Sequence, residues 1–377
     1  MSSQSPHFLL AGGGTAGHVN PLLATAKKLQ DLGGRVSVLG AHEGLENELV
    51  PAAGLPLRAI DRVSAPRKLN KQALTFPARL QTVVSQTKKI VDELQPDVIV
   101  GFGGYVSAPA YLVGRQNQLP VVIHEQNARP GVANKLGALW AQTVAVTFPG
   151  TPLKAKRGRA CTTGLPLREE IEEFALADRA VRQERQTQAR AQFGLDPHVP
   201  TVVITGGSLG AQRINESVAA AASEITAHAQ VLHLTGKGKS AAVEDALSKV
   251  ELDHPWVVRE YCHDMVSAYA AADLVICRAG AGTVAELSAL GLPAVYVPLA
   301  IGNGEQHRNA ASHVDSGGAA LIANSDFDAA TAGETICGII ANPHRLESMR
   351  QESAKLGGSN ASEEFAKLCM EAAGKGA

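Results

Sequence analysis

Thr201-Val202-Val203-Ile204-Thr205-Gly206-Gly207-Ser208-Leu209-Gly210-Ala211 decides the fold. An apolar, β-branched run ends in glycines, and the helical pattern Ile214-Asn215-Glu216-Ser217-Val218-Ala219-Ala220 follows at once. This reads as a strand, a tight turn of bare backbone, and a helix whose free N–H groups can meet an anion. The chain does the same once before. Phe8-Leu9-Leu10-Ala11 runs into Gly12-Gly13-Gly14-Thr15-Ala16-Gly17, and a helix is expected from about Val19 to Asp31. Pro21 would sit in its first turn, where a missing N–H costs nothing. The sequence starts over halfway along.

Working outward, further strands are expected at Arg35–Leu39, Pro96–Val100, Val121–His124 and Thr143–Thr147 in the first half. In the second half they are expected at Gln230–Leu234, Trp256–Val258, Asp273–Cys277 and Ala294–Pro298. Residues 169–192 carry neither Gly nor Pro and read as exposed helix, and the segment from about Asn360 reads as helix. Strands alternating with helical segments imply right-handed crossovers and parallel sheets, with ligands at the carboxyl ends of the strands. The expectation is α/β: two Rossmann-like parallel-sheet domains facing each other across a cleft.

Composition agrees. A chain of 377 residues exceeds one ordinary core, and aromatics are only 4% of it, as in buried parallel sheets flanked by helices. A formal net charge of −1 gives no global reason to expect nucleic acid as a partner. Five scattered cysteines without Cys-x-x-Cys argue against a disulfide framework or a zinc site, and point to a reducing compartment. No apolar run approaches the ~20 residues that span a bilayer. From Asp61 to Lys89 the chain is basic, with Arg62, Arg67, Lys68, Lys71, Arg79, Lys88 and Lys89 interleaved with Leu69, Leu74, Phe76, Leu80, Val83 and Val84. Either this is a solvated helix face, or it settles on anionic lipid with its apolar groups inserted.

The glycine turns admit three readings. Gly12-x-Gly14-x-x-Gly17 fits the dinucleotide fingerprint, but an oxidoreductase needs an acid at the end of the second strand, and Ser37 to Gly40 contains none; Glu43 lies beyond it. Gly206-x-Ser208-x-Gly210 fits a hydrolase nucleophile elbow, which needs one sheet and one elbow rather than a doubled architecture. The third reading takes both turns with Gly101-Phe102-Gly103-Gly104-Tyr105 and expects two phosphate-bearing ligands.

Taken in order, Gly13-Gly14-Thr15-Ala16-Gly17-His18, Gly101–Tyr105, His124-Glu125-Gln126-Asn127, Thr205–Ala211, Cys277–Glu286 and Asn303-Gly304-Glu305-Gln306 closely resemble the MurG family of peptidoglycan N-acetylglucosaminyltransferases over nearly the whole chain. The resemblance implies a GT-B fold. It implies an inverting transfer, without metal or other cofactor, from UDP-GlcNAc to the muramyl C4 hydroxyl of lipid I, a polyprenyl diphosphate. It further implies a peripheral enzyme on the cytoplasmic side of an anionic membrane, with partners among cell-wall synthesis and division proteins. Residues 1–165 with 359–377 would form the acceptor and membrane-associating domain, and 166–358 the donor domain. Other family-like transferases with a different lipid-linked acceptor, or a non-catalytic nucleotide-sugar binder, are the rival readings.

Residue by residue, the resemblance places Gly207, Ser208 and Gly210 on the donor diphosphate. Glu286 goes to the ribose hydroxyls, Cys262 in Tyr261–Met265 to uracil, and Glu305 and Gln306 to the sugar. Arg168 and Arg278 lie near the departing UDP, where a guanidinium suits growing negative charge. Thr15, Gly17, Asn127, Ala281 and Thr283 complete the donor set. Gly13, Gly14, His18, Gly103, Gly104 and Tyr105 would hold the acceptor. Attack by a hydroxyl needs a base within hydrogen-bond reach, and His18 is the first candidate and Glu125 the second. Three positions depart from the family pattern: Ala16 for Gly, Leu209 for Gln, and Glu305 for the frequent Gln. Asp326-Phe327-Asp328 is expected to begin a helix rather than bind a metal.

Overall fold

The computed structural model describes residues 5–63, 71–207, 210–299, 304–356 and 360–374. They form two compact units, Met1–Arg168 with Asn360–Ala377, and Glu169–Ser359.

The first unit runs β1 His7–Ala11, α1 Ala16–Asp31, β2 Arg35–Ala41, α2 Glu46–Ala52, β3 Leu57–Ile60, α3 Lys71–Leu94, β4 Val98–Gly101, α4 Ser107–Gln116, β5 Val121–Glu125, α5 Val132–Gly137, β6 Thr143–Val146 and β7 Arg159–Thr162. Its seven strands are parallel in the order β3-β2-β1-β4-β5-β6-β7. β1, with no exposed residue, pairs with β2 and β4 through Leu9↔Ser37 and Leu9↔Ile99. Strand order reverses between β1 and β4, so the loops after these two strands splay apart and leave room for a ligand.

The second unit runs α6 Glu169–Leu176, α7 Arg179–Phe193, β8 Thr201–Thr205, α8 Gln212–Ala220, α9 Ala222–Thr226, β9 Gln230–Leu234, α10 Ser240–Leu247, β10 Trp256–Arg259, α11 Met265–Ala271, β11 Leu274–Cys277, α12 Ala281–Leu290, β12 Ala294–Tyr296, α13 Glu305–Asp315, β13 Ala319–Leu321, α14 Ala329–Ile340 and α15 Pro343–Ala354. Its parallel sheet has the order β10-β9-β8-β11-β12-β13, with the equivalent reversal between β8 and β11. The chain ends on α16, Ala361–Ala372, which belongs to the first unit. Phe365 of α16 is fully buried, edge-on to His124 and Phe102 with ring centroids 4.9 and 5.7 Å away. Burying such a ring stabilises the unit by ~1.5–3 kcal/mol.

Several expectations change. Helix α1 begins at Ala16, a turn early, so Pro21 lies inside it and cannot donate to the Gly17 carbonyl. The 169–192 segment breaks into two helices at Asp178, whose carboxylate caps α7 by accepting from Val181 N. That segment is not wholly exposed either: Arg190 is buried against Asp273. The apolar side of α3 faces protein rather than lipid. Val83 is buried, and Phe76, Leu80 and Val84 pack against the core of the first unit. Leu69, Arg67 and Lys68, and the side chains of Lys71 and Leu74, lie outside the described residues. Among the described residues no helix is long and apolar enough to cross a membrane. Asp328 caps α14 through Thr331 N, so the Asp-x-Asp pair starts a helix.

Candidate active site

In the second unit the turn after β8 requires its glycines. Gly207 and Gly210 hold φ of +76° and +67°, and a Cβ on Gly206 or Gly210 would drive into the backbone of Ala211 or Thr235. The turn delivers the chain to α8, whose N-cap Ala211 offers no side-chain cap. Helix α12 likewise starts at Gly280 without one. Two helix N-termini with unsatisfied N–H groups therefore open at neighbouring strand ends, an arrangement that favours anions.

A cavity of about 470 Å³ lies there, within the range of small-ligand sites. Gly207, Gly210, Cys262, Arg278, Thr283 and Gln306, all among the residues the resemblance assigns to the donor, line it together. Ala281 is buried as the first residue of α12, beside the lining residue Gly280. Ser208 and Leu209 lie outside the described residues. Arg278 turns one nitrogen, Nη1, onto the carbonyls of Val297 (2.8 Å) and Pro298 (3.3 Å) and onto Asn324 Oδ1 (2.7 Å). Burial lowers its pKa, but an arginine remains charged at neutral pH. It thus both braces the loop after β12 and brings positive charge to the cavity wall. Gln306 accepts from Leu299 N at 2.8 Å, and Glu305 opens α13, where the helix N-terminus favours a carboxylate.

Glu286 lies in the second turn of α12, half-buried, one step behind the cavity wall. Its Oε2 accepts from the hydroxyl of Tyr269, a lining residue, at 3.0 Å. Tyr269 and Glu260 are site residues that sequence reasoning missed. Backbone N–H of Gly238 holds the exposed Glu260 carboxyl below its usual range, with Ser240 helping.

In the first unit the turns after β1 and β4 meet. Gly14, Gly103 and Gly104 all have φ near +85°, and a Cβ on Gly104 would lie 2.7 Å from the Gly13 carbonyl. His18, half-buried on α1, shares a hydrogen bond with Thr15 Oγ1 through Nδ1 at 2.9 Å. Its ring lies 3.4 Å from where a Cβ on Gly103 would stand. Burial lowers the His18 pKa, and the Gly13 carbonyl and Glu46 pull the other way. The balance favours the neutral imidazole, and when Nδ1–H donates to Thr15 the lone pair is on Nε2.

Glu125 is not so placed. Its Oε1 accepts from Asn127 N (3.0 Å), and its Oε2 from Gly131 N (2.9 Å) and Asn134 Nδ2 (2.9 Å). Burial raises its pKa, and these donors oppose the rise. The carboxylate is engaged in building the loop from β5 to α5. Asn127 and the missed Asn134 belong to that same loop network. Gly17 is exposed in the first turn of α1, and Arg168 closes the unit half-buried.

The dinucleotide reading fails on one missed residue. Glu46 is fully buried and accepts from Gly14 N at 2.9 Å and from Ala41 N, at the end of β2, at 3.1 Å. A cofactor phosphate would need that donor, and the protein's own carboxylate holds it. No nearby sequence pattern signals this pairing, which joins residues 32 apart.

Residues 8–146 match the glycosyltransferase family 28 N-terminal domain, and residues 201–368 match that family's C-terminal domain. The protein from Nocardioides sp. named UDP-N-acetylglucosamine--N-acetylmuramyl-(pentapeptide) pyrophosphoryl-undecaprenol N-acetylglucosamine transferase is 48% identical, covering 96% of this chain and 97% of its own. Its namesake from Bifidobacterium adolescentis is 46% identical over 98% of both chains. The crystal structure of MurG from Acinetobacter baumannii superposes with a TM-score of 0.80 at 28% identity, covering 97% of this chain and 99% of the other. With both domains matched and near-full-length relatives at this identity, the chain belongs to glycosyltransferase family 28.

Proposed function

We propose that this chain transfers N-acetylglucosamine from UDP-GlcNAc to the C4 hydroxyl of the muramyl sugar in lipid I, giving lipid II and UDP. The observation that carries the donor half is the cavity under two open helix N-termini at the strand ends of the second unit, with Arg278 on its wall. The acceptor half rests on the relatives and on His18 beside the paired glycine turns of the first unit.

The C4 oxygen attacks the anomeric carbon of the donor as the bond from that carbon to the β-phosphate oxygen breaks, so the configuration inverts. The hydroxyl proton passes to His18, and the electron pair leaves on UDP. Charge that grows on the departing diphosphate is met by the N–H groups at α8 and α12 and by Arg278, groups fixed before reaction begins. Glu286, steadied by Tyr269, takes the ribose hydroxyls. Glu305 and Gln306 take the sugar hydroxyls, Cys262 borders the base, and Ser208 joins Gly207 and Gly210 at the diphosphate.

A lipid-linked acceptor requires the first unit to rest on a membrane, at its cytoplasmic face. With the apolar side of α3 turned inward, contact falls to its exposed cations and to α5 with the residues just after it. There Val132 and Leu139 are 76% and 46% exposed with Lys135 between them. An assay with UDP-GlcNAc and a lipid I analogue tests the reading: it expects a β-linked disaccharide product and free UDP. UDP-GlcNAc binding without turnover would reject it.

A further inference from the structure

The two halves carry glycine turns that look alike in sequence and differ in what they have left to offer. Gly206, Gly207 and Gly210 face an open cavity. The turn of Gly12–Gly17 already holds an anion. Gly14 N–H donates to Glu46, whose side chain also fills the space that a Cβ on Gly13, Gly40 or Gly44 would need. Three glycines from three segments are thus fitted around one side chain. A phosphate oxygen cannot use the Gly14 donor, because the Glu46 carboxyl already occupies it.

An acceptor diphosphate in this unit therefore needs a cation from elsewhere. Arg62 directly follows β3 with Asp61 and is exposed. Its guanidinium carbon lies 4.5 Å from the ring centroid of Tyr105, and Nη2 donates to the Tyr105 hydroxyl at 3.2 Å. The Arg62 carbonyl accepts from Arg79 Nη2 at 3.0 Å, which anchors its backbone. Tyr105 in turn lies 3.5 Å from where a Cβ on Gly14 would stand. The stack Arg62–Tyr105–Gly14 lays a planar guanidinium beside the occupied turn, with Glu43 and Glu46 near enough to favour its charge. Through Tyr105, Arg62 is brought beside the Gly14 turn.

We propose that Arg62, laid on Tyr105 beside the Gly14 turn, is the diphosphate-binding cation of the acceptor site, replacing the backbone donor that Glu46 holds. This rests on the acceptor reading above, and the ligand class is an organic diphosphate.

The test uses the full chain, UDP-GlcNAc and a short-chain, water-soluble lipid I analogue, so that membrane binding does not enter. Arg62→Ala is expected to raise the acceptor KM by about 10- to 100-fold and to leave the donor KM within about twofold. Inorganic pyrophosphate is expected to compete with the acceptor in the parent enzyme and to weaken by a similar factor in Arg62→Ala. Arg62→Lys should recover only part of the loss, because an ammonium lacks the planar fork. Tyr105→Ala, which removes the platform, should resemble Arg62→Ala. An unchanged acceptor KM in Arg62→Ala overturns the proposal. So does a rise in donor KM instead, which would put the cation on UDP. A fall in thermal midpoint with no KM split also overturns it, as Arg62 would then be a structural clamp. Failure of the parent enzyme to turn over the analogue is a separate result, which rejects the acceptor reading itself.

Discussion

The hydroxyl of Tyr269 donates to the carboxylate of Glu286 at 3.0 Å, linking a residue on the donor cavity wall to the carboxylate behind it. Tyr269 is buried on α11 and Glu286 half-buried on α12, so the bond ties together the two helices that flank β11. Tyr269→Phe should raise the donor KM by several-fold, since a neutral-to-charged hydrogen bond of this kind contributes ~1.5–3 kcal/mol when intact, part of which water can replace. Glu286→Ala should raise it further, with the acceptor KM unchanged in both. Steady-state kinetics with each substrate varied would show this. A donor KM untouched by Glu286→Ala sinks the ribose assignment.

His18 sets an expectation for pH. Its pKa lies below the ordinary 6.5, so the imidazole is neutral and able to accept a proton throughout the neutral range. The acid limb of the kcat/KM profile should therefore fall below pH 6.5. His18→Ala should abolish that limb and lower kcat by about 10²–10⁴, with the donor KM intact. A limb that persists in the variant would assign it to another group.

Acid should also act on stability through three buried histidines. Burial lowers His124 and His313 to about 4 and His233 to about 3, against 6.5 in the unfolded chain. Because the folded values are depressed, the unfolded state binds more protons below pH 6.5. Stability is full above that pH and declines as pH falls toward 4. Each such group contributes a slope of ~1.4 kcal/mol per pH unit across its window. Thermal melts from pH 7 to 4 should show the decline, and His124→Phe should flatten it. A flat melting profile over that range would count against neutral burial.

The membrane prediction concerns α5. Val132→Ser with Leu139→Ser should weaken binding to anionic vesicles while turnover of a soluble acceptor stays near the parent value. Sedimentation with vesicles of mixed anionic and neutral lipid reads this directly, and equal binding would move the contact elsewhere.

Much of the architecture is legible because parallel strands buried on both faces announce themselves. Thr201–Thr205 and Val98–Gly101 are continuous apolar runs stopped by polar or glycine residues. The short edge strands β3, β7 and β13 are not legible, since three or four partly exposed residues carry no periodic signal. Helix α3 misleads for a different reason. Interleaved charges and apolar residues look the same whether the apolar face meets lipid or a neighbouring helix, and here Val83 goes inside. Around the donor cavity, turn chemistry alone points to Gly207 and Gly210, whereas Thr283 enters only through the family resemblance. Glu46, Tyr269 and Asn134 could not be placed, because each acts through a partner far away in sequence. Glu125 shows the converse: its place at a strand end is legible, and its three donors are not.

The closing helix α16 gives the first unit a history as well as a shape. Phe365 seats against Phe102 and His124, which leave the ribosome long before it does. At ~5–20 residues per second, the whole of Glu169–Ser359 is made in between, a matter of tens of seconds. During that interval the first sheet has an uncovered apolar floor, and by its end the second unit has all its own parts while the first still lacks α16. Phe365→Ala should cost ~3–5 kcal/mol in the finished unit. In the nascent chain its effect belongs to timing: the half of the enzyme that is begun first is completed last.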